Sequence, residues 1–369
     1  MLNRVYVDNY KSLVNFELKF GTINLLLGPN GVGKSSIFEV LRKLRAFIGG
    51  DSKLDSLFDD SSRTRWQTLR IQTFELEMKA EQGLYKYELA IEYDQSGQKL
   101  RVKYERLGMD GSPLLRFEQG EMHLHRDDYS AGPVYPFDWN LSALASIYSR
   151  PDNKKLTWFK DHIQKLIVAQ SVPALMSPGS DQEEAVPGEF LEKFVSWYRL
   201  LSQDQGVTLD VTEALRKVLP GFDHFEFKAY GEKNRHLITY FVYPGLKTQV
   251  GYGFDELSDG QKAIIALYTL LTAAQKHGYI LCLDEPENFL ALPEIRPWLM
   301  ELYDRCDEEK IQAVLISHHP EMIDYLLASP IGYWLDRQDN LATRIKPIQA
   351  ENDGGLTVSE LIARGWLHE

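Results

Sequence analysis

The segment GPNGVGKSS, residues 28–36, carries the residue types and spacing that most directly predict chemistry. It follows the apolar run TINLLLG and precedes a segment with helical apolar spacing, which is the strand–loop–helix context of a phosphate-binding loop. Its glycines let backbone N–H groups turn towards a phosphate chain, and the helix start adds partial positive charge. Lys34 is expected to reach the β- and γ-phosphates, and Ser35 to ligate Mg²⁺.

A second apolar strand, YILCLDEPE at residues 279–287, ends in two adjacent acids. The carboxyl ends of strands are where ligands bind in open α/β sheets. Two neighbouring carboxylates repel each other unless a cation or a proton separates them. We therefore expect Asp284 to hold Mg²⁺ through water beside Ser35, and Glu285 to orient and deprotonate an attacking water. The alternative, an acidic turn after a strand, is disfavoured by the presence of the phosphate loop.

The segment AVLISHHPE, residues 313–321, is a further apolar strand and ends in two histidines. His318 is expected to reach the γ-phosphate and to sense whether it is present. His319 is the rival for this role, and the sequence alone does not separate the two. Considered singly, either histidine would more often be an ordinary polar side chain at a strand end.

The segment LSDGQ, residues 257–261, precedes an apolar helix and predicts a second anion-binding device. It combines the hydroxyl of Ser258, the amide of Gly260 and a helix N-terminus. One nucleotide pocket needs only one phosphate cradle. We therefore expect LSDGQ to close over the nucleotide of a second copy, so that ATP joins two subunits and hydrolysis releases them.

The patterns along the chain predict an α/β core interrupted by an insertion. Period-two alternation from about residue 69 to 125 predicts antiparallel strands, and helical spacing predominates up to about residue 218. After residue 257 helices and strands alternate, which predicts a parallel sheet. The predicted parts are a core of residues 1–65 and 220–369, an antiparallel β-rich part at 66–135, and a helical lid at 136–219.

The composition excludes some classes of protein. A formal net charge of −12 excludes a general nucleic-acid coat protein. No apolar run approaches the roughly 20 residues that span a bilayer, and the N-terminus has no signal-peptide pattern. A cytoplasmic location without a membrane partner is therefore expected. Cys282 and Cys306 have no CxxC neighbour, so no zinc site is predicted. A local basic patch, or simply a solvated surface, could be formed by Arg42, Lys43, Arg45, Arg63 and Arg65.

The four segments GPNGVGKS, LSDGQ, LCLDEPE and SHHP resemble, in order and spacing, the motifs of ABC-type ATPase heads. The start of the chain, VDNYKSLVNFELKFGTINLLLGPNGVGKSS, resembles the RecF/SMC-like branch of that class. The resemblance covers both ends of the chain. It implies an α/β fold with a P-loop NTPase core, an ABC-ATPase-like mixed sheet and flanking helices. It also implies Mg²⁺-dependent ATP hydrolysis, with ATP and Mg²⁺ as cofactors.

The resemblance also assigns roles to residues at matching positions. Lys34, Glu285 and His318 would be catalytic, and Ser35 and Asp284 would bind the metal. Lys11 and Ser12 match a basic-plus-serine pair near the nucleotide. The phosphate loop would consist of Gly28, Asn30, Gly31, Gly33, Lys34, Ser35 and Ser36. The residues acting in trans would be Ser258, Gly260 and Gln261.

Three features depart from the family pattern. The glutamine loop is not located, with Gln67 and Gln72 as weak candidates. Ala291 stands where relatives often have a histidine associated with coupling across the dimer. The insertion has no long heptad region, which excludes extended coiled-coil arms.

The preferred interpretation is an ATP-dependent dimerisation switch that serves as the sensor of a bacterial anti-phage system. It would act with a separate effector such as a nuclease or toxin, because the chain shows no convincing effector motif. The alternative is a RecF-like DNA-repair ATPase that clamps duplex DNA, with binding that falls steeply with salt. A non-hydrolysing scaffold is disfavoured because Lys34 and Glu285 are both present. His123 and His125 could form a metal pair, but an exposed strand is the favoured interpretation.

Overall fold

The computed structural model describes residues 1–94, 97, 99–245, 248–327, 329, 331–337, 339, 341–348 and 360. These residues fall into two compact units. Unit 1 contains Met1–Leu166 and Ile331–Gln349, and unit 2 is built on Ile167–Pro330. None of the helices in this described part of the chain has the length and apolar composition needed to cross a membrane.

The secondary structure alternates between β-rich and helical stretches. The strands are β1 (Leu2–Asp8), β2 (Phe16–Lys19), β3 (Ile23–Leu27), β4 (Ile71–Ala80), β5 (Gly83–Tyr93), β6 (Leu100–Met109), β7 (Ser112–Glu118), β8 (Glu121–His125), β9 (Ala131–Pro136), β10 (Leu166–Gln170), β11 (Gly179–Ser180), β12 (Phe222–Tyr230), β13 (Asn234–Phe241), β14 (Val250–Gly253), β15 (Ile280–Asp284), β16 (Gln312–Ile316), β17 (Gly332–Arg337) and β18 (Thr343–Pro347). The helices are α1 (Lys34–Gly49), α2 (Leu54–Leu57), α3 (Lys154–Ile163), α4 (Phe194–Leu201), α5 (Gln205–Val218), α6 (Asp259–His277), α7 (Leu292–Asp307) and α8 (Pro320–Leu326). Short 3-10 turns lie at Asp60–Ser62, Pro173–Leu175 and Phe254–Glu256.

Unit 1 contains an antiparallel sheet with the strand order β2-β1-β4-β5-β6-β7-β8-β9. Strand β4 alternates half-buried and fully buried residues along most of its length, which is the period-two pattern of a sheet with one face on the core. Unit 1 also contains β3, which pairs in parallel with β17, and β17 pairs antiparallel with β18. All five residues of β3 are buried, and this strand leads directly into the phosphate loop.

Unit 2 contains the parallel pair β15 and β16, with β10 beside β15. Helix α6 is buried continuously over residues 262–274, as expected for a helix surrounded by core. Helix α7 packs against it, since the indole N–H of Trp298 donates to the Leu267 carbonyl at 3.0 Å. A second, antiparallel sheet is formed by β11, β13, β12 and β14.

The structure departs from the sequence prediction in the middle of the chain. The segment predicted as a helical lid, residues 136–219, contains α3, α4 and α5 but also β10 and β11. The two compact units also differ from the predicted parts, because residues 66–135 lie in unit 1 together with residues 1–65. The three-part boundaries at 65, 135 and 219 therefore stay a sequence-based prediction.

Candidate nucleotide-binding site

The phosphate loop in unit 1 has a backbone that requires glycine at two positions. Gly28 and Gly33 have φ angles of 145° and 108°, which residues with side chains rarely adopt. Space is limiting as well. A Cβ on Gly28 would lie 2.2 Å from the Leu335 carbonyl oxygen, and one on Gly33 would lie 2.7 Å from the Ser12 hydroxyl oxygen. Gly31 also has a positive φ of 79°, but nothing lies within 4 Å of its added Cβ.

Lys34 is the first residue of α1 and is only 6% exposed. Its Nζ donates hydrogen bonds to the carbonyl oxygens of Gly28 at 2.6 Å and Pro29 at 3.0 Å. These bonds hold the ammonium group over the phosphate loop itself. Phosphate oxygens bound by the loop would compete for the same N–H donors.

The start of α1 has the features of an anion site. Gly33 is the N-cap residue and has no side chain with which to cap the first turn. Backbone N–H groups at an uncapped helix start, together with the helix dipole, favour a bound anion. Ser35 is exposed on this first turn, and Asn30 is exposed in the loop before it. The Ser36 N–H donates to the Gly33 carbonyl at 3.1 Å.

Lys11 lies next to α1 and pairs with an acid there. Its Nζ forms an ion pair with Glu39, which also pairs with Lys43 at 3.1 Å. Burial alone would raise the pKa of Glu39, but the Lys11 hydrogen bond and the Lys43 charge outweigh it and lower that pKa. In this structure Lys11 is therefore directed to Glu39, and its predicted contact with a nucleotide stays a prediction.

Two residues near the C-terminal end contact the phosphate loop, and the sequence analysis missed both. The Thr343 hydroxyl oxygen lies 2.8 Å from Ser12 Oγ and 2.6 Å from the Val32 carbonyl oxygen. Arg337 Nη1 donates to the Gly31 carbonyl at 3.2 Å. Thr343 and Arg337 belong to no motif and lie about 300 residues from the loop in sequence, so no local signal could have identified them.

In unit 2, Glu285 follows β15 in a constrained conformation. Its φ is 49°, an uncommon value for a residue with a side chain. Its N–H donates to the Ile316 carbonyl at 2.8 Å, and its Oε2 accepts a hydrogen bond from Asn288 Nδ2 at 2.8 Å. Asp284, the last residue of β15, is half-buried. Both the backbone and the carboxylate of Glu285 are therefore held in place.

The structure separates the two histidines that follow β16. His318 Nε2 lies 3.8 Å from Glu285 Oε1, and the His318 side chain is 42% exposed. His319 instead occupies the N-cap position of α8. Its Nδ1 is buried and has no hydrogen-bond partner among the described residues. The geometry therefore brings His318 to Glu285, although its role towards a γ-phosphate stays a prediction.

The LSDGQ segment forms the start of α6. Ser258 is the N-cap residue, and its hydroxyl oxygen accepts the Gln261 N–H at 3.2 Å while Gln261 Oε1 accepts the Ser258 N–H at 3.0 Å. This reciprocal pair is a capping box, which gives both residues a structural role. A Cβ on Gly260 would lie 3.2 Å from the Phe289 carbonyl oxygen, so the helix start packs against the loop after Glu285.

A family described as "AAA ATPase domain" matches residues 1–105, and one described as "AAA domain, putative AbiEii toxin, Type IV TA system" matches residues 200–324. No curated protein matches the chain. An SMC head bound to the C-winged helix domain of ScpA is similar in structure, with a TM-score of 0.57 at 12% identity over 95% of this chain and 98% of that one. The SMC head domain from Thermotoga maritima gives a TM-score of 0.48 at 15% identity over 95% and 99%.

The chain has the SMC-head fold, and two separate segments of it match models of AAA families. This result confirms the predicted α/β P-loop NTPase fold and the predicted class. The two matched ranges contain all four motifs. Arg337 and Thr343, which contact the phosphate loop, lie outside both ranges. At this level of identity the structural likeness shows the fold alone.

Each unit separately contains residues whose chemistry fits part of a nucleotide with Mg²⁺. The first turn of α1 has no side-chain cap at Gly33, so its backbone N–H groups can bind phosphate oxygens. The Ser35 hydroxyl and the Asp284 carboxylate are oxygen donors, and oxygen is the ligand that Mg²⁺ prefers.

Glu287 is a further residue of this cluster that the sequence analysis missed. Its side chain is buried, with 8% exposure. Its Oε1 accepts hydrogen bonds from Ser317 Oγ at 2.6 Å and from the His318 N–H at 3.3 Å. The sequence shows Glu287 only as the third acid of DEPE, two residues after Glu285. Nothing in the sequence distinguishes it from an exposed turn residue.

The structure gives Gln72, the two histidines of β8 and the two cysteines no functional partner among the described residues. Gln72, considered for the glutamine loop, is buried and donates to the Asn9 carbonyl at 2.9 Å. His123 and His125 lie on β8, and no metal-binding group of His, Cys, Asp or Glu occurs among the described residues. Both cysteines are free and buried, and burial raises the pKa of Cys306 to about 12.

Proposed function

We propose that this protein binds and hydrolyses ATP with Mg²⁺ and uses the cycle to join and release two copies of itself. The observation that carries the proposal is the side-chain arrangement around Glu285. Asn288 holds one carboxylate oxygen at 2.8 Å, and His318 lies 3.8 Å from the other. A general base needs this kind of fixed orientation towards the water it activates.

In the proposed reaction, the residues of the two units have separate tasks. The phosphate loop and Lys34 bind and orient the triphosphate, which is the main protein contribution to phosphoryl transfer. Ser35 and Asp284 would hold Mg²⁺, which neutralises charge on the phosphate oxygens when it is bound. Glu285 accepts a proton from the attacking water, and His318 contacts the γ-phosphate.

The proposed dimer depends on the exposed start of α6. In the capping box, the Ser258 oxygen accepts the Gln261 N–H. A hydroxyl can accept one hydrogen bond and still donate another, so the Ser258 proton remains available for a phosphate oxygen. Ser258 is exposed. We propose that Ser258, Gly260 and Gln261 contact the nucleotide held by a second copy.

We further propose that the switch is the sensor of an anti-phage system and that it acts in the cytoplasm with a separate effector. Support comes from the description of the family matching residues 200–324, which names the toxin of a toxin–antitoxin system. The SMC head of similar fold was solved bound to a domain of a second protein, ScpA. A toxin–antitoxin system has two components, so both observations favour a head that works with a partner protein.

The alternative, a clamp on duplex DNA, has less support from the basic residues that could form its surface. Lys43 pairs with Glu39, and Arg63 pairs with Asp60. Arg45 donates to the Leu166 carbonyl at 3.3 Å, and burial lowers its pKa. These three cations are committed to internal contacts in unit 1, which leaves fewer for phosphate contacts.

The solution mass of the Glu285→Gln variant, measured with and without ATP and then with duplex DNA, tests both candidates. A doubling with ATP that DNA does not change supports the partner-coupled switch. A doubling followed by a further increase with DNA, lost at high salt, supports the clamp. An unchanged mass with saturating ATP contradicts the proposed dimerisation.

A further inference from the structure

The buried carboxylate of Glu287 joins the two loops that carry Glu285 and His318. Glu287 belongs to the turn after β15, in which the Asn288 N–H donates to the Glu285 carbonyl at 3.1 Å. Its Oε1 reaches the start of the other loop and accepts from both Ser317 Oγ at 2.6 Å and the His318 N–H at 3.3 Å. One oxygen atom therefore ties the two loops together.

Ser317 extends this connection by one more residue. It is fully buried, and its hydroxyl oxygen accepts the His319 N–H at 3.1 Å while its own proton goes to Glu287. The three consecutive residues 317–319 are therefore held by one buried acid, directly or through Ser317. A buried carboxylate is costly unless hydrogen bonds compensate for its lost hydration. Glu287 Oε2 is buried and accepts no hydrogen bond from the described residues, so the compensation comes from the two bonds to Oε1.

We propose that Glu287 is a positioning residue that sets the distance between the His318 ring and the Glu285 carboxylate. The inference rests on the proposed ATPase function, in which these two groups act on the same nucleotide. Glu287 itself bonds the backbone of His318 and the side chain of Ser317, and it does not contact the reacting atoms. Because it lies in the same turn as Glu285, any shift of that turn also shifts His318, and the pair stays aligned.

Two substitutions of Glu287 and one control substitution distinguish a role in positioning His318 from a general contribution to stability. Glu287→Ala leaves the Ser317 hydroxyl and the His318 N–H without their acceptor. Glu287→Gln keeps one acceptor oxygen, which is sufficient because both bonds go to the single atom Oε1. The matched control is Glu294→Ala, since Glu294 Oε2 also accepts a backbone N–H, that of Ala291 at 2.8 Å, but does not contact the histidine loop.

We expect the loss of Glu287 to lower turnover without weakening ATP binding, and the amide of Glu287→Gln to restore turnover. Misplacement of a reacting group by about 1 Å can lower a rate by about 100-fold. We expect Glu287→Ala to lower kcat by about 10- to 100-fold while the Kd for ATP stays within about 2-fold of wild type. Glu287→Gln should retain most of the kcat. Glu294→Ala should lower Tm without lowering kcat.

Amide hydrogen exchange of the histidine loop gives a readout that does not depend on catalysis. The His318 N–H should exchange faster in Glu287→Ala and at the wild-type rate in Glu287→Gln. If wild type hydrolyses no ATP, the proposed function fails, and the exchange rates still test the connection. If wild type hydrolyses ATP but Glu287→Ala keeps full kcat or unchanged exchange, the positioning role is wrong and the ATPase function stands. A parallel loss of kcat in both Glu287 variants would also overturn it.

Discussion

The phosphate loop in unit 1 and the acid–histidine cluster in unit 2 reach their geometry by different means. The loop depends on backbone conformation, with glycines at φ angles that other residues rarely adopt. The cluster depends on side-chain bonds between segments about 30 residues apart, such as those of Glu287 with Ser317. Backbone-determined sites are encoded locally and are recognisable as a motif. Sites built by side chains depend on which strands become neighbours. A single substitution in such a site can change the distance between two groups without removing either of them.

The largest expected effect is on the cluster. Glu285→Gln keeps the size and the hydrogen-bond acceptor for Asn288 but removes the base, so hydrolysis should fall by about 100- to 10,000-fold. ATP binding should be unchanged, because the phosphate loop is intact. Phosphate release and the Kd for ATP are the two measurements. Normal phosphate release by the variant would show that Glu285 is not the base.

The second largest effect on turnover is expected at the start of α6. Ser258→Asp retains a good N-cap residue but places a negative charge where a second copy's phosphates would bind. We expect ATP-dependent dimerisation and turnover to fall at least about 10-fold, while each monomer still binds ATP.

Ser258→Ala is the companion variant, since it loses the cap and should cost about 1 kcal/mol of stability. If Ser258→Asp dimerises and turns over normally, LSDGQ serves only as a capping box.

Substitutions in the phosphate loop should lower the stability of the protein, and Gly33 and Gly31 should differ in the size of the loss. Gly33→Ala combines a φ of 108° with contacts of 2.7 and 2.8 Å to the hydroxyls of Ser12 and Thr343. It should lower the free energy of unfolding by about 3 kcal/mol. Gly31→Ala meets only the conformational cost, about 1 kcal/mol. Urea unfolding of both variants tests the difference, and equal losses would contradict the steric explanation.

The smallest expected effect concerns the ion pairs of Glu39. Its pKa is lowered below the ordinary 4.5 in the folded state, so the carboxylate contributes stability above that value, and the contribution is lost as pH falls through the folded pKa. Glu39→Gln should therefore reduce the free energy of unfolding by about 0.5–1 kcal/mol at pH 7 and have little effect near pH 3. Unfolding curves at both pH values test this. A larger difference at low pH would contradict the sign.

Several features of the fold could be predicted because they depend on short-range pattern. The period-two alternation that predicted strands between residues 69 and 125 corresponds to β4 through β8. The apolar run before the phosphate loop corresponds to the fully buried β3. The region after residue 140 was less predictable. Strand β10 is a short apolar segment, and short apolar runs do not distinguish a buried strand from part of a helix.

The sequence by itself determined the motifs, the class of the protein and the backbone of the phosphate loop, because glycine spacing and strand–helix periodicity act within a few residues. Only the tertiary structure decided which residues contact the phosphate loop and which residues form the acid–histidine cluster. It brought Thr343 to the Val32 carbonyl, directed His318 rather than His319 towards Glu285, and buried Glu287 between two loops. Contacts of this kind form between residues far apart in the chain. Their hydrogen bonds depend on strand pairing and burial, which no local pattern specifies.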